Sequence, residues 1–574
     1  MFEEARSVLD RYFGYSEFRP GQDDAVKSAL SGRDTLIVMP TGGGKSVCFQ
    51  VPALVLPGLT IVVSPLIALM LDQVSVLEGR GIAAALINST LSKSEIDDRL
   101  ARAAAGELKL LYVAPERFAS PVFQRALRRM DVSMVAVDEA HCVCEWGHDF
   151  RPSYLQLRDA WAMIGRPRLL ALTATATPEV RREIVRELDL RRARVIVRGF
   201  DRPNLRLTVR QEDKLTEKSR VLLSLLRDSD EVAIVYASTR KMVEAATELL
   251  RSAGVSAVAY HAGLHRDQRL RAQEAWMSGE IPVVVATNAF GMGVDKADVR
   301  RVVHFQMPGS LEAYYQEAGR AGRDGEPAEC ILLHSYRDRF THEFFIRANY
   351  PSRRVIVSAY SALCAAVQSS GGPVTAARFA ARVKGAKSEQ EIYSAMRILG
   401  DCGSVEDVGK RRGCVVRWIA APERIANLIE NGNGAEDLHQ VLPLLESLYR
   451  ASSSGERRHL RFSRRDVARW SGGDFGAARV ALDALQSAGV LGWRDEGRSS
   501  GYRPKDPRLP GENLPVNWTR VAARRTLELA KLKRMEGYAY QRSCRRRYVL
   551  RYFGEQDGRG RCGSCDRCAS QLSQ

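Results

Sequence analysis

From the N-terminus to Tyr350, short apolar, β-branched runs alternate with longer amphipathic stretches. That is the pattern of parallel α/β sheets, whose strands are buried on both faces and joined by helical crossovers. The runs predict strands at Thr35–Met39, Leu59–Ser64, Leu108–Val113, Ser133–Val137 and Leu169–Thr173. A second set falls at Val232–Tyr236, Ser256–Tyr260, Pro282–Ala286, Arg301–Phe305 and Glu329–Leu333. Two groups of five imply two doubly wound lobes, 1–200 and 201–350. The break is expected near Gly199–Asn204, where Pro203 ends regular structure.

After Tyr350 the pattern changes to helices with short basic hairpins. Glu389–Leu399 has helical spacing, and Ser404–Asp407 and Cys414–Ile419 flank a turn over Val408–Gly413. Arg464–Trp470 and Ala477–Ala488 read as a helix pair, followed by Val490–Trp493 and a Gly/Ser-rich turn near Gly497–Gly501. Each unit reads as helix-turn-helix plus wing, giving winged-helix-like segments over 351–519. Asn431–Ala435 and Ala451–Gly455 have linker composition.

Charge divides the chain further. The 574 residues carry a net charge of +18, which suggests an anionic partner, nucleic acid or a membrane surface. Residues 1–350 hold 47 Lys+Arg against 45 Asp+Glu, and residues 351–574 hold 39 against 23. The excess therefore lies in the later part. An uncharged run from Ser46 to Leu71 has membrane-spanning length, but Pro52, Pro57 and Pro65 interrupt it. It reads as a buried helix end, a turn and a buried strand. The start, Met1-Phe-Glu-Glu-Ala-Arg6, lacks a basic stretch followed by an apolar run, so the expected compartment is the cytoplasm.

Candidate chemistry sits at the strand ends. Met39-Pro-Thr41-Gly42-Gly43-Gly44-Lys45-Ser46 follows a strand and precedes a helical stretch. Its glycines let backbone N–H groups close around phosphates, Lys45 can meet the β/γ-phosphates, and the Ser46 hydroxyl can hold Mg²⁺. Met39 stands where the strict pattern has Gly. Asp138 and Glu139 end the strand Ser133–Val137; Asp138 would hold Mg²⁺ and Glu139 would orient or deprotonate the attacking water. Arg320 and Arg323, three apart, can share a helix face and reach a γ-phosphate from the second lobe. Alone, that pair would read as a solvated helix end. Four cysteines, Cys544, Cys562, Cys565 and Cys568, have the spacing of a tetrahedral Zn²⁺ site.

In order, the chain carries Phe18-Arg-Pro-Gly-Gln22, the Lys45 loop, Val63-Ser-Pro-Leu66, Ala114-Pro-Glu-Arg117, Asp138–His141 and Thr173-Ala-Thr175. Ala286–Asp295 and Gln316–Arg323 follow. This series resembles that of superfamily-two helicases, and Tyr12–Asp338 resembles the RecQ family of DNA helicases nearly end to end. The resemblance implies two RecA-like lobes. It implies that Gln22, with Arg19 and a stacking Phe13 or Tyr15, reads adenine. Gly293 and Asp295 would serve nucleotide binding and coupling, and Gln316 would belong with Arg320 and Arg323 to the catalytic set.

The same resemblance marks Trp146-Gly-His148-Asp-Phe150-Arg151-Pro152 as an aromatic-rich DNA loop. Trp146 and Phe150 can stack on bases, Arg151 can meet phosphate and His148 could link the loop to the nucleotide site. Cys544–Glu555 and Cys562–Cys568 resemble the RecQ zinc platform, placing a helical zinc-binding unit at 520–574, after the winged-helix-like segments instead of directly after the motor. The expected activity is ATP-dependent, 3′-to-5′ translocation on single-stranded DNA with unwinding of duplex DNA, with ATP, Mg²⁺ and Zn²⁺ as cofactors. The alternatives are a non-catalytic DNA-binding protein and a translocase that remodels nucleic acid without separating strands. Arg520–Arg551 holds eleven Lys/Arg against two Asp/Glu, and the zinc unit is expected to present this basic surface to duplex DNA. Protein partners are not specified by any motif.

Overall fold

The computed structural model describes residues 1–40, 42–88, 90–144, 151–291, 296–408, 411–431, 441–452, 459–471, 475–499, 501–555 and 561–569. Two compact units emerge: one comprises Met1–Glu343 with Thr526–Gln574, the other Phe344–Arg525. The C-terminal cysteine segment therefore belongs with the α/β lobes, and the second unit is an insertion in the sequence of the first.

The first lobe is an all-parallel sheet of seven strands: β1 (Thr35–Val38), β2 (Leu59–Val63), β3 (Ala84–Ile87), β4 (Leu110–Val113), β5 (Val132–Val137), β6 (Arg168–Thr173) and β7 (Arg194–Val197). Their order is β3-β4-β2-β5-β6-β1-β7. The central β1 and β2 are buried at every position, which is why they read as uninterrupted apolar runs. The uncharged run after Ser46 forms the helix Val47–Val55 and β2. Among the described residues, no helix is long and apolar enough to cross a membrane.

The second lobe has six parallel strands, β8 (Leu205–Gln211), β9 (Ala233–Tyr236), β10 (Ala257–Tyr260), β11 (Val283–Ala286), β12 (Arg301–His304) and β13 (Ala328–His334). Their order is β10-β11-β9-β12-β13-β8. Three strands, β3, β7 and β8, were not expected from the sequence. All three are sheet edges, and β8 alternates arginines and other polar residues with apolar ones, so it gives no continuous apolar run.

Among its described residues, the inserted unit has two cores. The first packs the helices Arg353–Ser370 and Glu389–Asp401 with the short antiparallel pair β14 (Val405–Asp407) and β18 (Tyr502–Pro504). The second packs β15 (Arg411–Trp418), β16 (His459–Ser463) and β17 (Leu491–Ser499) with helices that include Arg464–Trp470 and Phe475–Ser487. Its sheet order is β16-β15-β17, all antiparallel. This corrects the hairpin expected across Val408–Gly413: Val405–Asp407 pairs with Tyr502–Pro504, while the strand containing Cys414 pairs with β16 and β17. The second core thus occupies, in sequence, the space between the two strands of the first core's hairpin. Of the Gly/Ser-rich stretch Gly497–Gly501 expected to turn, Gly497–Ser499 continue β17.

Candidate nucleotide site and cysteine centre

β5, β6 and β1 are consecutive parallel neighbours, so all three release the chain at one edge of the sheet. The phosphate loop after β1, the acids after β5 and Thr173–Thr175 at the end of β6 converge there. Open α/β sheets bind ligands at this carboxyl edge.

The phosphate loop is held from below. Gln22, 4% exposed, accepts the Arg19 backbone N–H at 2.9 Å and donates through Nε2 to the Gly44 and Gly43 carbonyls at 3.0 and 3.3 Å. Arg19 Nη1 donates to the Gly42 carbonyl at 3.0 Å. Gly44 has φ +72°, and a β-carbon there would run into Gln22 Nε2. Glycine is therefore required both by the backbone and by the side chain beneath it. Lys45 Nζ donates to the Met39 and Pro40 carbonyls, both at 3.2 Å, and Ser46 is the N-cap of the helix Val47–Val55. Of the two rings expected near adenine, Phe13 is buried in the lobe core with the Arg80 guanidinium over its face, whereas Tyr15 is exposed.

The acids stand in a dense field of charge. Asp138 Oδ1 accepts the Glu139 N–H at 3.0 Å, and Glu139 Oε2 lies 3.3 Å from His141 Nδ1. His141 Nδ1 is 2.9 Å from Thr173 Oγ1, which ties the acidic segment to the end of β6. Burial, then the neighbouring Glu139 charge, push the Asp138 carboxyl up. Burial also pushes Glu139 up, but the His141 hydrogen bond and the charges of His141, Lys45 and Arg320 outweigh it and hold it low. Burial lowers Lys45, opposed by Glu139 and Asp138. Two adjacent, half-buried carboxylates form a donor set that fits a divalent cation.

From the second lobe, the helix Leu311–Ala318 ends before the arginines, so Arg320 and Arg323 occupy a turn, not the helix face expected from their spacing. Arg320 is 6% exposed, and its Nε and Nη1 meet no hydrogen-bond partner among the described residues. Gly291, φ +147°, lies so close that a β-carbon would overlap its guanidinium. The Arg323 stem faces the phosphate loop: a β-carbon on Gly42 would stand 3.5 Å from Arg323 Cγ. The two lobes thus bring lysine, acids and arginines together, and the unpartnered Arg320 nitrogens fit an anionic ligand such as a triphosphate. Gln316 is half-buried on the preceding helix.

Thr41, Trp146, His148, Phe150, Gly293 and Asp295 lie outside the described residues. Arg151 is described: its backbone N–H donates to the Cys142 carbonyl at 2.9 Å and its Nη1 to the Pro65 carbonyl at 3.1 Å. It pins the end of the aromatic segment to the Val63–Leu66 motif.

The sulfurs of Cys544, Cys562, Cys565 and Cys568 all lie within 4.8 Å of one another, and Cys562 Sγ is 3.8 Å from Cys568 Sγ. Thiolates ~2.3 Å from a tetrahedral zinc stand ~3.8 Å apart, so the group fits that ion. Cys544 caps the helix Arg545–Tyr552; Cys565 immediately precedes the short helix Asp566–Ala569, and Cys568 lies within it. Arg545, fully buried, joins the two helices through a two-point pair with Asp566 at 2.6 and 2.9 Å and donates to the Tyr538 carbonyl at 2.7 Å. The expected basic surface is smaller than its composition suggests, since Lys531 is also buried, paired with Glu528 at 2.9 Å.

Arg202 and Asn204 are functional residues that the sequence alone did not mark. Their segment reads only as a lobe boundary, yet both bind the carbonyls of the arginine turn. The Arg-Pro-Asn order gave no signal beyond the break at proline.

Comparison with known proteins places three family models on the chain. They are a DEAD/DEAH box helicase model over residues 19–184, a helicase conserved C-terminal domain over 217–325, and a RecQ zinc-binding model over 516–569. The chain is 47% identical over 349 residues to the ATP-dependent DNA helicase RecQ of Bacillus subtilis (strain 168), covering 60% of this chain and 58% of that protein. It is 42% identical over 335 residues to the probable ATP-dependent DNA helicase RecS of the same organism, covering 58% and 67%. The chain thus spans little more than half the length of the first of these relatives. Among solved structures, the crystal structure of the DUF1998 helicase MrfA bound to DNA aligns with a TM-score of 0.50 at 20% identity, covering 60% of this chain and 53% of that one. At that identity the likeness concerns the fold.

Proposed function

The chain belongs to the RecQ family of helicases, and from that premise we propose that it is an ATP-driven DNA helicase acting on single-stranded and duplex DNA in the cytoplasm. The observation that carries the reading is the arrival of Arg320 and Arg323 of the second lobe at the Lys45 loop and Glu139 of the first. A site built from two lobes makes hydrolysis depend on their closure, which is how a motor links chemistry to movement. Lys45 and the loop N–H groups bind the β- and γ-phosphates, with Thr41–Gly44 as the cradle. Ser46 and Asp138 would hold Mg²⁺, which supplies charge neutralisation on the phosphates when bound. Glu139, kept ionised by its cationic neighbours, takes the proton of the attacking water. Arg320 and Arg323 stabilise charge on the transferring phosphoryl group, with Gln316 beside them. Arg19, Gln22 and Tyr15 hold the base, and Gly293 and Asp295 serve coupling.

That the RecQ and RecS relatives are ATP-dependent DNA helicases supports DNA as the track, and the 3′-to-5′ direction follows from the family resemblance. Trp146, Phe150, Arg151 and His148 form the DNA-sensing loop, and the four cysteines hold Zn²⁺. ATP hydrolysis by purified protein, measured with and without single-stranded DNA, tests the reading. Hydrolysis should rise at least about tenfold with DNA, and Lys45→Ala should reduce it by about a thousandfold or more. Hydrolysis in Lys45→Ala equal to wild type would refute the assignment.

A further inference from the structure

The segment between the lobes, residues 200–205, is gripped from two sides. On one side, the Arg202 guanidinium donates to the carbonyls of Gly319 at 3.3 Å, Ala321 at 3.0 Å and Gly322 at 2.8 Å. Asn204 Nδ2 adds bonds to the Gly322 and Glu326 carbonyls at 2.8 and 2.9 Å. These carbonyls belong to the turn that carries Arg320 and Arg323. Gly322 has φ +54°, and a β-carbon on it would strike Asn204 Nδ2, so the turn and its two clamps form one tightly fitted joint.

On the other side stands the cysteine unit. Arg546 Nη2 donates to the carbonyls of Arg202, Pro203 and Leu205 at 3.1, 3.2 and 2.9 Å, and its Nη1 lies 3.4 Å from Asp201. Its side chain is 11% exposed. Phe553 stacks on Phe200 at 4.6 Å and packs on Tyr315 at 5.0 Å, while Tyr315 Oη donates to the Phe200 carbonyl at 3.0 Å. Tyr314, on the helix that leads into the arginine turn, shares a 2.7 Å hydrogen bond with Tyr538. Arg545, next to Arg546, is locked to Asp566 beside the cysteines.

We infer that Arg202 and Arg546 are positioning residues for ATP hydrolysis: Arg202 fixes the Arg320–Arg323 turn, and Arg546 fixes Arg202, so the cysteine unit sets where the second-lobe arginines stand. The inference rests on the ATPase reading above. A guanidinium shared among three carbonyls holds them in one geometry, because its donors are rigidly forked. Removing it takes the guanidinium donor from the buried Gly319 and Ala321 carbonyls, while Gly322 keeps Asn204, and lets the turn relax. Charge stabilisation of a transferring phosphoryl group is sensitive to displacements of about 1 Å, which cost on the order of a hundredfold in rate.

The test uses the full chain with its zinc, in DNA-free buffer. Single-turnover and steady-state hydrolysis, affinity for a non-hydrolysable ATP analogue and the melting temperature are measured for Arg202→Ala, Arg546→Ala and Arg546→Lys, and for Arg546→Ala combined with Arg320→Ala. Arg546→Ala should lower kcat about tenfold and Arg202→Ala at least as much, with KM and analogue affinity within about twofold of wild type. Arg546→Lys, which keeps the charge on a single donor nitrogen without the fork, guards against a folding defect; it should melt like wild type and still lose about fivefold in kcat. In the Arg320→Ala background, Arg546→Ala should remove less than about twofold more, because both changes act on one element. Normal kcat in well-folded Arg546→Ala and Arg546→Lys overturns the inference, as does a full tenfold further loss in the Arg320→Ala background. If Arg320→Ala itself hydrolyses ATP like wild type, the reading of the arginine turn fails. A slow Arg320→Ala beside a normal Arg546→Ala sinks only the inference.

Discussion

Glu139 adopts φ +47°, a left-handed conformation that costs an ordinary residue about 1 kcal/mol or more. The cost is met where the backbone must leave β5 and still hold two adjacent carboxylates in one cleft. Glutamine fits the same backbone and can keep a hydrogen bond to His141, so Glu139→Gln should bind nucleotide as wild type while hydrolysis falls by about a thousandfold. Analogue affinity by fluorescence alongside turnover checks this. Weak binding in the variant would mean that the acid holds the site together instead of activating water. The identities of Lys45, Asp138 and Glu139 were readable because each follows its strand within a few residues. Arg202 and Arg546 were not, because each answers to carbonyls that only the folded chain assembles. Phe13 and Tyr15 were interchangeable in sequence, and only burial separates them.

Among elements, the cysteine unit departs most from expectation. Its arginines looked like a DNA surface, but Arg545 is buried against Asp566 and Arg546 against the segment between the lobes. Removing one partner of a buried pair costs about 3–5 kcal/mol, so Arg545→Ala should lower the melting temperature sharply in calorimetry. A change within error would show that the Arg545–Asp566 pair adds little. Replacing Cys565 and Cys568 by Ser should release zinc, measured by a chromogenic chelator, and should also slow DNA-free hydrolysis, since the unit packs on the arginine-bearing helix through Tyr538. The central parallel strands were legible as apolar runs. The edge strand β8 was hidden by its arginines, and β14 was paired wrongly because its partner β18 lies about a hundred residues away in sequence, beyond any local turn signal.

Across the whole molecule, the chain order has a simple physical meaning. The lobes and the cysteine unit form one compact unit, and Phe344–Arg525 is inserted between its parts. The sequence showed that the cysteines come last; it could not show that they fold back onto the motor. Replacing Phe344–Arg525 by a flexible Gly/Ser linker should therefore leave zinc content and nucleotide hydrolysis within about threefold of the full chain. Loss of both in a monodisperse deletion protein would mean that the inserted unit is needed for the motor to fold. The most direct test of the central proposal is strand separation itself, measured on a forked DNA duplex with ATP, and on the matching RNA fork. The full chain should separate the DNA fork only when ATP is hydrolysed, Arg320→Ala should abolish separation, and the RNA fork should stay closed. An intact DNA fork in the presence of vigorous DNA-stimulated hydrolysis, or separation that persists without ATP, would contradict it.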